Sequence, residues 1–219
     1  MAGSRNSHES DRQRLEQPVS GYGPQVALIV IDMQNDFADA AGSLYVAGGS
    51  GIVALVNAEV EHALESGAAV VYTQDWHPSH TPHFAQDGGI WPVHCVAGTW
   101  GAELHKDLLV RGPMVRKGSH GEDGYSGFTM RDPESGQTTA TELDTTLARG
   151  AATKIVVCGL ATDYCVRATA LDGVRLGYRT TVLVDAVRAV NLTPGDGDRA
   201  FAEMAASGVV LAGEPSEAV

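Results

Sequence analysis

Three side chains in this sequence have the types that covalent chemistry on a carbonyl requires: Cys165 as nucleophile, Asp32 as base and Lys117 as a cation beside both. Cys165 ends the string Gly159-Leu-Ala-Thr-Asp-Tyr-Cys, near the start of a predicted helix. There the helix dipole and unpaired amides are expected to lower a thiol's pKa. A free cysteine is also commonly a small buried hydrophobe. Cys158 falls inside an apolar run and reads as packing, while Cys95, directly after His94, reads as a weaker thiol candidate or a packed loop residue. Asp32 closes an apolar run, either as base toward Cys165 or as a turn or N-cap carboxylate. Lys117 follows another such run and precedes Gly118. It points either into the same pocket, where it would hold Asp32 and a thiolate together, or into a polar loop.

A second group offers metal chemistry. Asp75, His77, His83 and His94 supply one carboxylate and three imidazoles, a mixed oxygen and nitrogen set that suits zinc, iron or manganese. Asp-x-His at a strand end sends two side chains to one side of an extended backbone. His80, on a Pro- and Ser-bearing turn, is left out of the set.

The elements that must position these groups follow from periodicity. Short apolar runs rich in Val and Ile predict strands at Val26–Ile31, Ala68–Thr73, Met114–Val115, Lys154–Cys158, Thr180–Val184 and Val209–Leu211. Helical spacing predicts helices over Gly51–Glu65, Thr141–Leu147, Asp163–Leu176 and Pro194–Ala206. The alternation predicts an α/β fold, a three-layer sandwich with a mainly parallel sheet of about six strands and helices on both faces. Reactive groups in such sheets collect at the carboxyl ends of strands. Asp32, Asp75, Lys117 and the Cys165 string each follow a different run, so four strand ends converge on one pocket. The long aperiodic segment from Gln74 to Gly112 carries five histidines, a density that argues for function.

Composition narrows the rest. With 15 Lys and Arg against 27 Asp and Glu, the net charge of −12 disfavours a nucleic-acid partner, which needs a basic face. No apolar run approaches the roughly 20 residues that cross a bilayer, so no membrane partner is expected. Residues 1–24 read as a disordered tail without signal-peptide character, ahead of one domain over 25–219. Three cysteines cannot all pair, which fits a reducing cytoplasm.

Six strings together resemble the nicotinamidases of the isochorismatase-like cysteine hydrolase family: Asp32-Met-Gln-Asn-Asp-Phe37, Asp75-Trp-His-Pro78, Trp91-Pro-Val-His-Cys95, Arg116-Lys-Gly118, Tyr125-Ser-Gly-Phe128 and Gly159-Leu-Ala-Thr-Asp-Tyr-Cys-Val166. The resemblance spans Val26 to Leu211 and implies an Asp32, Lys117, Cys165 triad that hydrolyses a small amide through an acyl-enzyme. It implies an oxyanion hole from the Ala161 and Cys165 amides, with a cis peptide between Leu160 and Ala161. It further implies a divalent metal, zinc first and iron or manganese as alternatives, on Asp75, His77 and His94, with His83 a ligand in some relatives and replaced in others. Phe37, Trp91 and Tyr125 would be the walls around nicotinamide or pyrazinamide, although Trp91 also suits a core anchor. The activity implied belongs to pyridine nucleotide salvage; self-association is left open. The competing expectations are a metal-free amidohydrolase of carbamoyl or ureido compounds, which generally lacks the Asp-x-His and distant His set, and a metal-binding protein without turnover.

Overall fold

The computed structural model describes residues 21–213, so the expected tail over 1–24 lies outside the described residues up to residue 20, and the expected domain over 25–219 does so beyond 213. Its main sheet has six parallel strands: β1 (Val26–Ile31), β2 (Ala69–Asp75), β3 (Met114–Lys117), β6 (Lys154–Leu160), β7 (Arg179–Arg188) and β8 (Val210–Ala212). They lie in the order β3-β2-β1-β6-β7-β8. The helices are α1 (Asn35–Ala38), α2 (Val53–Glu65), α3 (Leu143–Arg149), α4 (Arg167–Arg175) and α5 (Asp196–Ala206).

β1 shows why these residues form this sheet. All six of its residues are buried, which only a strand covered on both faces requires. Val26, Leu28 and Val30 pack with Val53, Val56, Val60 and Ala63 of α2 on one side. Ala27, Ile29 and Ile31 pack with Leu143, Leu147, Ala170, Ala200 and Met204 of α3, α4 and α5 on the other. Each Val, Leu, Ile or Met among them contributes about 1.5–3 kcal/mol by leaving water. Chain order runs outward from β1 in one direction and from β6 in the other, so the sheet reverses between these two neighbours. A crevice at the carboxyl ends is the geometric result.

Several elements run further than periodicity predicts. β2 continues to Asp75, β3 to Lys117, β6 to Leu160 and β7 to Arg188, because pairing with a neighbour carries the strand on after the apolar residues stop. The helix expected over Asp163–Leu176 is a wide π turn, Thr162–Val166, that runs into α4. A small antiparallel hairpin, β4 (Thr129–Arg131) with β5 (Thr138–Ala140), was not expected. Among the described residues no helix is long and apolar enough to cross a membrane.

Candidate active site

Four adjacent strands, β3, β2, β1 and β6, deliver the chemistry-bearing residues to the reversal point. Asp32 follows β1 directly, fully buried and in the left-handed region at φ 45°. It caps no helix: the N-cap of α1 is Gln34. Thr73 of β2 holds it, donating to Asp32 Oδ1 at 2.6 Å and accepting the Asp32 N–H at 3.2 Å. Lys117, at the end of β3, is buried, so the loop alternative falls. Its Nζ lies 2.9 Å from Asp32 Oδ2 and 3.6 Å from Cys165 Sγ, and it also donates to Asp75 Oδ1. Cys165 sits in the π turn, while the Leu160–Ala161 peptide is cis.

The electrostatics correct one expectation. Burial raises the Cys165 thiol well above its usual value; Lys117 opposes this, and Asp32 and Asp75 reinforce it. This direction runs against the lowering expected from the helix start. Burial also raises the Asp32 carboxyl, with Lys117 pulling it back and Asp75 pushing it up. For Asp75 burial works upward, but Lys117 and then His77 overcome it and hold the carboxyl below its usual range. Burial works to lower Lys117, yet Asp32, Asp75 and Cys165 together keep it charged. The thiol and the Asp32 carboxyl are thus both raised by burial, and both face the Lys117 ammonium.

Asp75 Oδ2 lies 3.8 Å from His77 Nε2, and beyond it stand His77, His83 and His94, each offering one ring nitrogen within 4.8 Å of the others. Gly118, at φ 78°, makes room: a Cβ there would overlap the His77 ring. Both nitrogens of His77 are buried with no protein hydrogen-bond partner among the described residues. Such a group costs about 1–3 kcal/mol when left unmet. His94 places Nδ1 2.7 Å from the Pro92 carbonyl, which leaves Nε2 free. Burial lowers the His94 imidazole, and burial followed by the neighbouring histidines brings His83 down to about 4. Three clustered imidazoles, one of them with both nitrogens unmet, fit a metal ion. Asp75 groups more closely with Asp32 and Cys165 than with the histidines and so borders both clusters.

One cavity, open at its mouth, joins the two clusters. Asp75, His83, His94, Ala161 and Cys165 line it, along with the expected aromatics Phe37, Trp91 and Tyr125. Trp91 is both wall and anchor, since it is buried and its Nε1–H donates to Tyr125 Oη at 3.1 Å. Cys95 and Cys158 are buried away from the cavity, Cys95 Sγ facing the Gly101 carbonyl at 3.9 Å and Cys158 Sγ the Ile29 carbonyl at 3.9 Å. His80 is exposed on a turn beside Asp87.

Sequence reasoning missed several residues. Tyr164 lines the cavity and packs edge-on against Trp91 and Tyr125, at 4.9 and 5.1 Å between centroids. Its place beside Cys165 was the available signal. Asp163 accepts the Val190 and Asn191 amides at 2.9 and 2.8 Å and thereby sets Val190 in the wall. Gln34 clamps the Asp75 backbone, accepting its N–H and donating to its carbonyl, both at 2.7 Å. Asn35 donates to the Trp100 carbonyl at 2.8 Å. Their signal was polar residues crowded directly behind a buried strand.

The Isochorismatase domain family matches residues 26–214, and this chain belongs to that family. A nicotinamidase of Escherichia coli is 37% identical over 207 residues, covering 86% of this chain and 94% of its own length. Among solved structures, a pyrazinamidase of Pyrococcus horikoshii in complex with zinc has a TM-score of 0.78 at 38% identity and covers 87% of this chain and 100% of its own. PnC1 from L. infantum, in complex with nicotinate, has a TM-score of 0.79 at 35% identity and covers 90% of this chain and 96% of its own.

Proposed function

We propose that this protein hydrolyses nicotinamide to nicotinate and ammonia. The observation that carries the proposal is a single aromatic-walled cavity into which Cys165, Asp75, His83 and His94 all open, backed by Lys117 and Asp32. The resemblance of this arrangement to the relatives above supports the choice of a pyridine carboxamide.

Asp32 takes the Cys165 proton as the substrate arrives, with the Lys117 ammonium 2.9 Å from Asp32 Oδ2 and 3.6 Å from Cys165 Sγ holding the two groups together. Lys117 stays charged throughout and steadies whichever partner carries the negative charge. Sγ then attacks the carboxamide carbon, and the Ala161 and Cys165 amides hold the developing oxyanion. Asp32 returns its proton to the departing ammonia. Asp32 next deprotonates a water that attacks the thioester, which releases the acid and restores the thiol. Phe37, Trp91, Tyr125 and Tyr164 confine the ring.

His77, His83 and His94, with Asp75 alongside, would hold one divalent ion, which supplies a Lewis acid for the pyridine nitrogen. Three imidazoles favour zinc, with iron and manganese as alternatives. The product, an aromatic acid, places the reaction in pyridine nucleotide salvage. The test is ammonia release from nicotinamide by the purified protein, with benzamide and a ureido acid beside it. Turnover of nicotinamide far above the other two is expected; hydrolysis of the ureido compound alone would overturn the proposal.

A further inference from the structure

Asp36 is the carboxylate of the Asp32–Phe37 string that the reaction does not use. It is buried, yet among the described residues it forms no ion pair with any Lys, Arg or His. Burying a carboxylate without a countercharge is unfavourable unless its oxygens are well hydrogen-bonded. Both are committed to main chain: Oδ2 accepts the Cys95 N–H at 2.7 Å and Oδ1 the Ser43 N–H at 3.0 Å.

Cys95 follows His94 and occupies the left-handed region at φ 47°, a conformation that a non-glycine residue keeps only when its neighbours fix it. Its carbonyl in turn accepts the His77 N–H at 3.0 Å, and the His77 carbonyl accepts the Ala97 N–H at 2.8 Å. A line of hydrogen bonds thus runs from Asp36 through the two peptides flanking Cys95 to His77, with His94 attached at its middle. Gly101 closes the other side of the carboxylate so tightly that a Cβ there would overlap it. Asp36 has one place to be.

We propose that Asp36 is a positioning residue of the metal site. It fixes His94 and His77 through the Cys95 backbone and sets an uncompensated negative charge behind the imidazoles, where a bound cation would balance it. The inference rests on the metal reading given above, and it concerns the histidine cluster and not the thiol cluster.

The test compares wild type, Asp36→Asn and Gly101→Ala for zinc affinity by chelator competition, for the rate at which iodoacetamide labels Cys165, and for activity as free zinc is raised. Asp36→Asn keeps the shape but turns one acceptor into a donor facing an N–H. Zinc affinity should fall roughly 10–100-fold, as for other residues that orient metal ligands from behind. Activity should fall at limiting zinc and return as zinc is raised, with Cys165 labelling unchanged. Gly101→Ala displaces the same carboxylate from its far side and should show the same pattern; it decides the matter if Asp36→Asn does not fold. Wild-type zinc affinity in both variants, or a matching change in Cys165 labelling, overturns the assignment. A wild type that binds neither zinc, iron nor manganese overturns the metal reading itself, whereas a metal-binding wild type with unaltered variants overturns this assignment alone.

Discussion

Two buried polar clusters meet at Asp75, and they are built on opposite plans. Around Lys117 each charged group faces an opposite charge within the protein: one ammonium stands against two carboxylates and a thiol, and Thr73 donates to Asp32 Oδ1. Around His77 the pairing is left open, with two buried ring nitrogens lacking a protein hydrogen-bond partner among the described residues and Asp75 Oδ2 no nearer than 3.8 Å from Nε2. A closed cluster holds its reactive groups ready whether or not anything is bound. An open one is completed only from outside the chain. On the proposed function, the difference separates the bond-breaking half of the cavity from the half that receives and aligns the ring, and it can be probed from either side.

The largest effect is expected within the closed cluster. Cys165→Ala should abolish turnover with the fold retained, checked by ammonia release and circular dichroism; activity above a few per cent of wild type would move the nucleophile elsewhere. Iodoacetamide should label Cys165 ahead of Cys95 and Cys158 in the wild type, since only Cys165 faces the cavity.

Asp32→Asn and Lys117→Ala should each cost nearly as much activity, and the double variant little more, because groups that act as a unit are far from additive. Lys117→Ala should also lower unfolding stability by about 3–5 kcal/mol, since it strands two buried carboxylates. A double variant markedly slower than either single one would mean that the two residues act independently.

Opening the other cluster further should be milder and should depend on substrate. His77→Ala, His94→Ala or chelation should raise KM and lower kcat for nicotinamide, together about 100-fold, because a small misplacement of the carboxamide is enough. Benzamide lacks the ring nitrogen and should lose much less. Equal losses for both amides would mean that the ion acts on the bond being broken. In metal-free protein His77→Ala should destabilise less than Lys117→Ala, because the imidazole it removes was already unpaired.

The smallest change is expected from Thr73→Val. It removes a hydrogen bond that favours the ionised Asp32 carboxyl, so the acid limb of kcat/KM should move to higher pH, with a modest loss at neutral pH. An unshifted limb would show that Asp32 does not govern it.

The strands were legible because two-sided burial leaves continuous apolar runs, as in Val26–Ile31 and Lys154–Cys158. Their polar ends were not, since Gln74, Asp75 and Arg188 are held in the sheet by pairing. The β4–β5 hairpin escaped notice because its residues are half-buried or exposed and carry no apolar alternation. At the site, the gathering of Asp32, Lys117, Cys165 and His77 was readable from type and strand-end position, and that of His83 and His94 from the density of histidine in an aperiodic segment. Gln34, Asn35 and Asp163 were not, because their partners are main-chain groups far along the chain, which spacing does not reveal. The thiol was misjudged for a related reason: proximity to a helix start is visible in sequence, whereas the burial that outweighs it depends on tertiary packing.

The central place of β1 also bears on how the molecule is made. Its partners are β2 and β6, and Val26 pairs with Lys154, so one flank of the most apolar strand stays unpaired until most of the chain has been synthesised. Long-range parallel pairing forms slowly, and an uncovered apolar edge invites association with other chains. Production of this protein should therefore be limited by the interval before β6 docks, with slower synthesis or chaperone supply improving the soluble yield. Fragments ending before Lys154 should aggregate, for they carry Asp32 and Lys117 on a sheet whose middle is still an edge.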